Sequence, residues 1–458
     1  IRPDFASAFY EKGRALSELG MDNEAVLSYD NALAIQPKYL EALYQKGLAL
    51  SRLSRFDQAL VSFDMALRLR PTAAFIWTGK GIVQSELGKD HDAIRSYLKA
   101  LSIDPKDTRA LYYLGVSQSR TGRFSDAIKN IDAALVQSPK CVKAFYQKGR
   151  ALLNLAMYHE ARSAFDRALG ESGTFSEIWL YKGISEANLG KYNEALDCYD
   201  RAISMDTTYA LPHLYRGIAL IHLNRYSDAL TALDQALALQ PEFPEAFYYQ
   251  GIACIKRERY EEAITAFNQA LSLNGQYSEV FHHKGVALTR LGNFEEAVTS
   301  FDSALKINPE YEDALYERGR ALMHTGNDKE AIASFDRALG HNPGLANAIY
   351  EKGRALLALG NHDAAISAFD RAGEINPTCY QAFFWKGRAF FDRGDYDAAI
   401  SAFEHALENN HGTAEVYYFE GRAYAALDQH RQAVQSYDRS LEIRQSAETL
   451  SHKGVSLA

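Results

Sequence analysis

A glycine returns every 34 residues along this chain. It stands at Gly13, Gly47, Gly81, Gly115, Gly149, Gly183, Gly217, Gly251, Gly285, Gly319, Gly353, Gly387 and Gly421, and only the next, Gly454, comes one residue early. Its neighbours repeat with it: Phe9-Tyr10-Glu11-Lys12-Gly13-Arg14-Ala15-Leu16 returns as Phe145-Tyr146-Gln147-Lys148-Gly149-Arg150-Ala151-Leu152 and as Ile349-Tyr350-Glu351-Lys352-Gly353-Arg354-Ala355-Leu356. A fixed period of this length, free of insertions, means stacked supersecondary units rather than one growing core. The usual prior of about three domains for 458 residues therefore does not apply.

With the ruler glycine numbered 8, the first unit runs from Ala6 to Tyr39 and the thirteenth starts at Ala414. Position 20 is alanine in every unit, from Ala25 to Ala433; position 27 is alanine from Ala32 to Ala406, with Ser440 last. Position 24 is aromatic except at Ile131 and Leu233, and position 32 is often proline, as in Pro37, Pro105 and Pro309. Apolar residues at positions 4, 10, 11 and 14 give one helix a buried face at helical period; positions 20, 21, 24, 27, 28 and 30 do the same for a second. A turn at positions 15 to 17, opened by residues such as Gly20, Gly88 and Gly190, separates them, and proline ends the second helix. Small residues at 8, 20 and 27 allow close approach, and the ring at 24 fills the space. Gly173, Thr207, Gly275 and His411 replace the stop proline, so those junctions are expected to be looser. Gly79 and Gly373, inside helices, are each expected to cost up to about 1 kcal/mol against alanine.

These residues resemble the tetratricopeptide repeat family over essentially the whole chain. The match includes the aromatic at position 4 (Phe9, Trp77, Trp179), the glycine at 8, the alanines at 20 and 27, the ring at 24 and the proline at 32. The recurrent KGRAL and SFDRAL wording is similar to tandem arrays from archaea. Position 7 departs from the family's leucine, being Lys or Arg in ten units from Lys12 to Lys386. The resemblance implies an all-α fold: a right-handed superhelical solenoid of helix-turn-helix repeats, residues 1–458 forming one array. About thirteen full repeats would run from 6 to 446, with partial repeats at 1–5 and 447–458, as in a segment excised from a longer protein. It also implies that the first helix of each unit lines a concave groove that takes an extended peptide or a partner helix.

Composition fits a folded chain that is not a general nucleic-acid binder: hydrophobic residues make up 47%, charged residues 24%, and the net charge is -8. No apolar run reaches the ~18 residues of a membrane span. The scattered Cys141, Cys198, Cys254 and Cys379 read as small buried residues of a reducing, cytoplasmic compartment. Asn376-Pro377-Thr378 is disqualified as a glycosylation site by its proline.

No catalytic or cofactor signature stands out. Gly88-Lys89 and Gly190-Lys191 lack phosphate-loop spacing, and Gly79-Lys80-Gly81 lacks the third glycine of a dinucleotide loop. His282 and His283, adjacent on a helix, point about 100° apart and do not chelate together, so no metal site is expected. The recurrent Asp at position 25 suits an ion pair with the Lys or Arg at position 7 of the next unit; Leu98 replaces the one where Leu114 replaces the other.

Position 9 varies in blocks while the frame stays fixed. It is arginine at Arg14 and Arg150, aliphatic at Ile184, Ile218, Ile252 and Val286, then arginine again at Arg320, Arg354, Arg388 and Arg422. Beside the last block, position 5 is Tyr316, Tyr350, Phe384 and Tyr418, four residues before each arginine and so on the same helix face. One reading is a ladder of guanidiniums and rings that takes an acidic or carboxylate-bearing peptide. The other is local neutralisation by Glu317 and Glu351, or by Asp302, Asp336 and Asp370 across unit boundaries. Tyr181, Ile184, Tyr215, Ile218, Tyr249 and Ile252 form either an apolar groove stripe or rings buried against neighbouring helices. The chain thus reads as a non-enzymatic protein-interaction scaffold; the alternative is the recruiting arm of an enzyme or signalling protein whose catalytic domain lies outside this segment. End-to-end self-association through uncapped termini is a further expectation.

Overall fold

The computed structural model describes residues 5–172, 175–409 and 413–458, and every regular element among them is a helix. The chain divides into two compact units. The first, residues 1–239, holds α1 (Ala6–Glu18), α2 (Asp22–Ile35), α3 (Leu40–Arg52), α4 (Phe56–Leu69), α5 (Ala74–Glu86), α6 (Asp90–Ile103), α7 (Thr108–Arg120), α8 (Phe124–Gln137), α9 (Val142–Asn154), α10 (Tyr158–Ser172), α11 (Ser176–Asn188), α12 (Tyr192–Met205), α13 (Ala210–His222) and α14 (Tyr226–Leu239). The second, residues 240–458, holds α15 (Pro244–Lys256), α16 (Tyr260–Leu273), α17 (Ser278–Arg290), α18 (Phe294–Ile307), α19 (Glu312–His324), α20 (Asp328–His341), α21 (Ala346–Ala358), α22 (His362–Ile375), α23 (Tyr380–Arg393), α24 (Tyr396–Asn409), α25 (Ala414–Ala426), α26 (His430–Ile443) and α27 (Ala447–Leu457). Odd-numbered helices are the first of each pair and even-numbered ones the second; within each unit a helix packs on its pair mate and on the next helix in sequence.

The pairing is set at the ruler glycine. The position-24 side chain of the second helix lies over it, as Phe335 lies over Gly319, and a Cβ built on Gly319 would stand 2.5 Å from the Phe335 ring. The same contact recurs at all thirteen ruler glycines, with Ile131 over Gly115 and Leu233 over Gly217 in place of rings. The position-24 side chains are essentially inaccessible, and so are the alanines at position 20. Two further glycines serve the same end. Gly79 faces Phe63, and Gly373 faces Phe383 at 3.1 Å from its would-be Cβ. Their expected penalty against alanine is thereby offset by close packing. At Gly454 there is no such contact, and Leu450, Val455 and Leu457 of α27 are exposed on the helix that would otherwise receive one.

Every turn between pair mates places position 15 in the left-handed region. Glycine occupies it eight times, and Ser54, Ala156, Asn224, Glu258 and Asp428 occupy it with φ between 57° and 60°. The next residue donates back to a carbonyl five positions earlier, as Met157 N–H does to Leu152 O at 3.0 Å, which ends the helix in a Schellman-type cap. Between pairs, an Asp or Asn at position 31 accepts the backbone N–H two residues on, at Asp104, Asp206, Asn274, Asn308, Asn342 and Asn376. That turn forms at Thr207 and Gly275 without proline; Gly173 and His411 lie outside the described residues. One interior expectation also fails: Gln118 and Glu186 occupy position 11 and are buried. Gln118 accepts from Asn130 at 2.8 Å, and Glu186 stands 3.8 Å from Arg162.

Consecutive pairs are clasped by the charges foreseen at positions 25 and 7. Lys46 meets Asp30, Lys80 Asp64, Lys148 Asp132, Lys182 Asp166, Arg216 Asp200, Arg318 Asp302, Lys352 Asp336 and Lys386 Asp370, all between 2.5 and 2.9 Å. Lys453 of α27 meets Asp438 likewise. The carboxylates are half exposed, so each clasp contributes at most about 1 kcal/mol; its value lies in register. At one joint both partners are acidic: Glu404 of α24 and Glu420 of α25. Glu420 is buried, and its Oε2 accepts from Ser436 at 2.7 Å. Burial, with the Glu404 charge adding, raises its pKa against the pull of Ser436 and Arg439.

Three outcomes are expected. Gly319→Ala should speed hydrogen exchange in α19 and α20, because overpacking costs ~1–3 kcal/mol against about 1 kcal/mol gained in helix propensity, whereas Gly454→Ala should not slow or speed exchange in α26 by a comparable amount. Ala156→Gly should raise the urea midpoint, since left-handed φ costs an L-residue ~1–2 kcal/mol. For Glu420, a raised folded pKa means that the protonated form contributes stability below the unfolded value, and that this is lost as pH rises through the folded one. Urea titrations from about pH 4.5 to 7 should therefore show the wild type falling relative to Glu420→Gln; parallel curves would refute the assignment.

Candidate functional site

The position-9 side chains leave the first helices on the face not used for pairing, and their fate depends on the residue one turn earlier. Where position 6 is glutamate, the arginine is neutralised on its own helix: Arg14 by Glu11 at 3.2 Å, Arg320 by Glu317 at 3.2 Å, Arg354 by Glu351 at 2.9 Å. The same carboxylates, with Tyr316, oppose the effect of burial on the Arg320 guanidinium and leave its pKa raised. Where position 6 is Gln147, Trp385 or Phe419, no carboxylate stands within ion-pair distance of Arg150, Arg388 or Arg422 among the described residues. Asp302, Asp336 and Asp370 do not reach the ladder, because the position-7 clasps hold them.

Arg388 and Arg422 rest on rings instead. The Arg388 guanidinium carbon lies 3.9 Å from the centre of Phe419 and 5.7 Å from that of Trp385. Arg422 lies 4.9 Å from Phe391, 5.4 Å from Phe419 and 5.7 Å from Tyr418. The buried Nε of Arg388 has no hydrogen-bond partner. Arg354 spans both situations, paired with Glu351 yet 5.0 Å from the centre of Trp385. A guanidinium held over a ring still carries in-plane N–H donors of the kind that pair with a carboxylate.

The rings of position 5 meet the arginines as the spacing suggested, Arg320 at 5.8 Å from the centre of Tyr316, Arg354 at 6.0 Å from Tyr350 and Arg422 at 5.7 Å from Tyr418, but they also turn into the core. Phe384 and Tyr418 are buried, each against the position-24 ring of its own unit, Phe403 at 6.0 Å and Tyr437 at 6.3 Å. Tyr316 and Tyr350 are half-buried on Phe335 and Phe369. The Tyr418 hydroxyl also donates to Glu448 at 2.6 Å. Burial pushes Tyr350 and Tyr418 up to about 12. The platform rings are Trp385 and Phe419, one position later, which the sequence reading passed over. The glutamate-or-not alternation at position 6 was the available signal, three residues before each arginine.

Of the apolar stripe, Tyr181, Ile184, Tyr215 and Ile218 lie half-buried in the first unit, and Tyr249 and Ile252 half-buried in the second. Tyr181 packs on Tyr146 and Phe165, Tyr215 on Tyr199, and Tyr249 on Tyr248, so their rings are shared with the helix core.

His282 and His283 sit ring-edge to ring-face at 4.9 Å inside an aromatic cluster with Phe301 and Tyr311, and burial lowers His282 to about 4. Among the described residues no group of three or more His, Cys, Asp or Glu side chains is placed to hold a metal. Cys198 and Cys254 are buried as expected, but Cys141 and Cys379 are only half-buried, at the starts of α9 and α23; none is in a disulfide. No described helix is long and apolar enough to cross a membrane.

Among solved structures the chain is similar to YrrB, described as a TPR protein with an unusual peptide-binding site: 26% identity over 42% of this chain and 98% of that one, TM-score 0.39. It is similar to the APC/C hetero-tetramer Cut9-Hcn1, at 14% identity over 99% of this chain and 96% of that one, TM-score 0.44. It is also similar to yeast Tom70, at 16% identity over 96% and 99%, TM-score 0.37. No curated protein matches. A family model for subunit 3 of the anaphase-promoting complex, cyclosome, matches residues 86–168. Tetratricopeptide repeat models match residues 6–39, 40–72 and 381–446, and another matches 146–210, 214–278, 284–346 and 350–410. That last model alone spans more than half of the sequence, and with the helix pairs and their ring-over-glycine contact it places the chain in the tetratricopeptide repeat family.

Proposed function

We propose that this chain is a non-enzymatic protein-interaction scaffold whose first-helix face near α23 and α25 binds an extended acidic peptide. The observation that carries the reading is that Arg388 and Arg422 keep their charge uncompensated while Arg320 and Arg354 do not. Pre-positioned guanidiniums lose little freedom on binding, because Phe419, Trp385 and Phe391 already hold them. A carboxylate then gains a charge-assisted pair without first breaking one. The overall acidity of the chain, net -8, makes such a local cationic site selective rather than generally sticky.

The reading takes residues 1–458 as one tandem array that presents different side chains on a constant frame. The arginines at position 9 would read charge, and the half-buried Tyr181, Ile184, Tyr215, Ile218, Tyr249 and Ile252 would contribute apolar contact in the middle repeats. Arg320, Arg354, Tyr316 and Tyr350 would flank the site.

A direct test is fluorescence anisotropy with a labelled ten-residue Asp/Glu-rich peptide. Arg388→Ala with Arg422→Ala should weaken binding at least tenfold and flatten its dependence on salt. Arg320→Ala, which removes a neutralised charge, should change it less than threefold. Equal losses from both would mean that the ladder acts only through general charge, and unchanged binding with a lowered melting temperature would mean that the arginines are structural.

A further inference from the structure

The third uncompensated arginine, Arg150, stands in the first unit beside two hollows. One, of about 250 Å³, opens between α7, α9 and α11 and is walled mainly by Tyr112, Val142, Tyr146, Phe175 and Ile178, with Lys143 and Glu177 also in its lining. It lies below the ~300–1,000 Å³ of small-molecule sites and suits one large apolar side chain. Phe175 is exposed there despite its size. The other, of about 150 Å³, lies between α7 and α9 and contains Arg120, Arg150 and Asn154 but no carboxylate among its lining residues. Gln147 borders both, so the two hollows are neighbours along α9.

Their electrostatics differ. Arg120 is engaged: it donates to the Ser85 hydroxyl at 2.9 Å and stands 3.8 Å from Asp90. Arg150 has only rings, Tyr181 at 5.1 Å and Tyr146 at 5.7 Å from its guanidinium carbon. Its position-6 neighbour is Gln147 where Arg14, Arg320 and Arg354 have glutamate. The polar hollow therefore offers a positive charge with no carboxylate in its own lining, next to a hollow that is mostly apolar but carries Lys143 and Glu177.

We infer that α7, α9 and α11 form a two-compartment site for an extended peptide carrying one large apolar side chain and one carboxylate two or three residues apart. The spacing follows from α9: from Tyr146 to Arg150 is four residues, ~6 Å of helix rise, which an extended chain at ~3.3 Å per residue covers in two steps, or in three with slack. The inference rests on the reading of the chain as an interaction scaffold. It does not rest on the Arg388 and Arg422 site, which lies in the other unit.

The test uses the 458-residue chain and labelled ten-residue peptides holding one Phe and one Asp at a spacing of two, three or six, with Phe→Ala and Asp→Asn controls. Anisotropy should show binding at spacings of two and three, at least tenfold weaker at six and in either control. Arg150→Gln should remove the preference for Asp over Asn and leave the Phe requirement. Val142→Trp, which fills the apolar hollow, should remove the Phe requirement; Val142→Ile, a smaller change, should keep it if the tryptophan variant unfolds. In an Arg388→Ala with Arg422→Ala background, which removes the carboxylate site near α23 and α25, the Phe and Asp requirements and the spacing preference should persist. No binding by any peptide, binding indifferent to spacing, or loss in the Arg388 and Arg422 variant instead of Arg150→Gln would each overturn the site. The last outcome would do so while leaving the site near α23 and α25 standing.

Discussion

A ring over a missing Cβ is the contact on which the rest of this structure depends. At each ruler glycine the second helix drives a side chain into space that any other residue would fill, and the alanines at positions 20 and 27 let the backbones come close enough for it. Dense packing of this kind fixes distance and crossing at once, because an overfilled or underfilled contact costs comparable amounts. Once two helices are locked this way their other faces are committed: one to the next pair, the other to solvent. The same contact explains why first helices carry the variable residues. Their position-8 face is spent on the ring, and positions 6 and 9 point elsewhere.

The charge clasp between positions 25 and 7 works on a second level. Its half-exposed carboxylates add little energy, but an offset of one helical turn would leave a half-buried ammonium without its partner. It penalises misregistration more than it rewards the correct fold. The joint at Glu404 and Glu420 abandons that control and keeps a buried carboxylate in its place.

The fold was legible because its determinants recur at fixed positions. Gly13 and Tyr29 announce the same contact as Gly387 and Phe403, and thirteen copies leave no doubt about which residues pair. The clasp was legible for the same reason, down to the joint where Leu98 and Leu114 replace both partners. The site was not, because what matters there is the exception. Periodicity put Phe384 and Tyr418 beside the arginines, and Tyr418 does meet Arg422, yet both rings turn inward onto Phe403 and Tyr437, while Trp385 and Phe419 supply the further contacts to Arg388. Whether an arginine is free or neutralised depends on a single residue three places earlier. The two hollows beside Arg150 arise where three helices converge, which no spacing within one unit reveals. Turn residues such as Asp206 and Asn274 were likewise hidden by attention to the missing proline.

The clasp has a further consequence for how such a chain changes over generations. Most 34-residue units carry one half of the lock at position 7 and the opposite half at position 25, so such a unit copied, removed or moved between Asp-and-Lys joints meets matching halves on both sides. Duplication is then structurally silent, and the number of repeats is free to drift while their register is kept. The Glu404 and Glu420 joint is where that freedom stops. A unit inserted there would set its Lys against Glu404 and its Asp against Glu420, mending one side and leaving the other with two acids. The repeats beyond Glu420 are thereby tied to the one before them as inherited neighbours rather than as interchangeable parts.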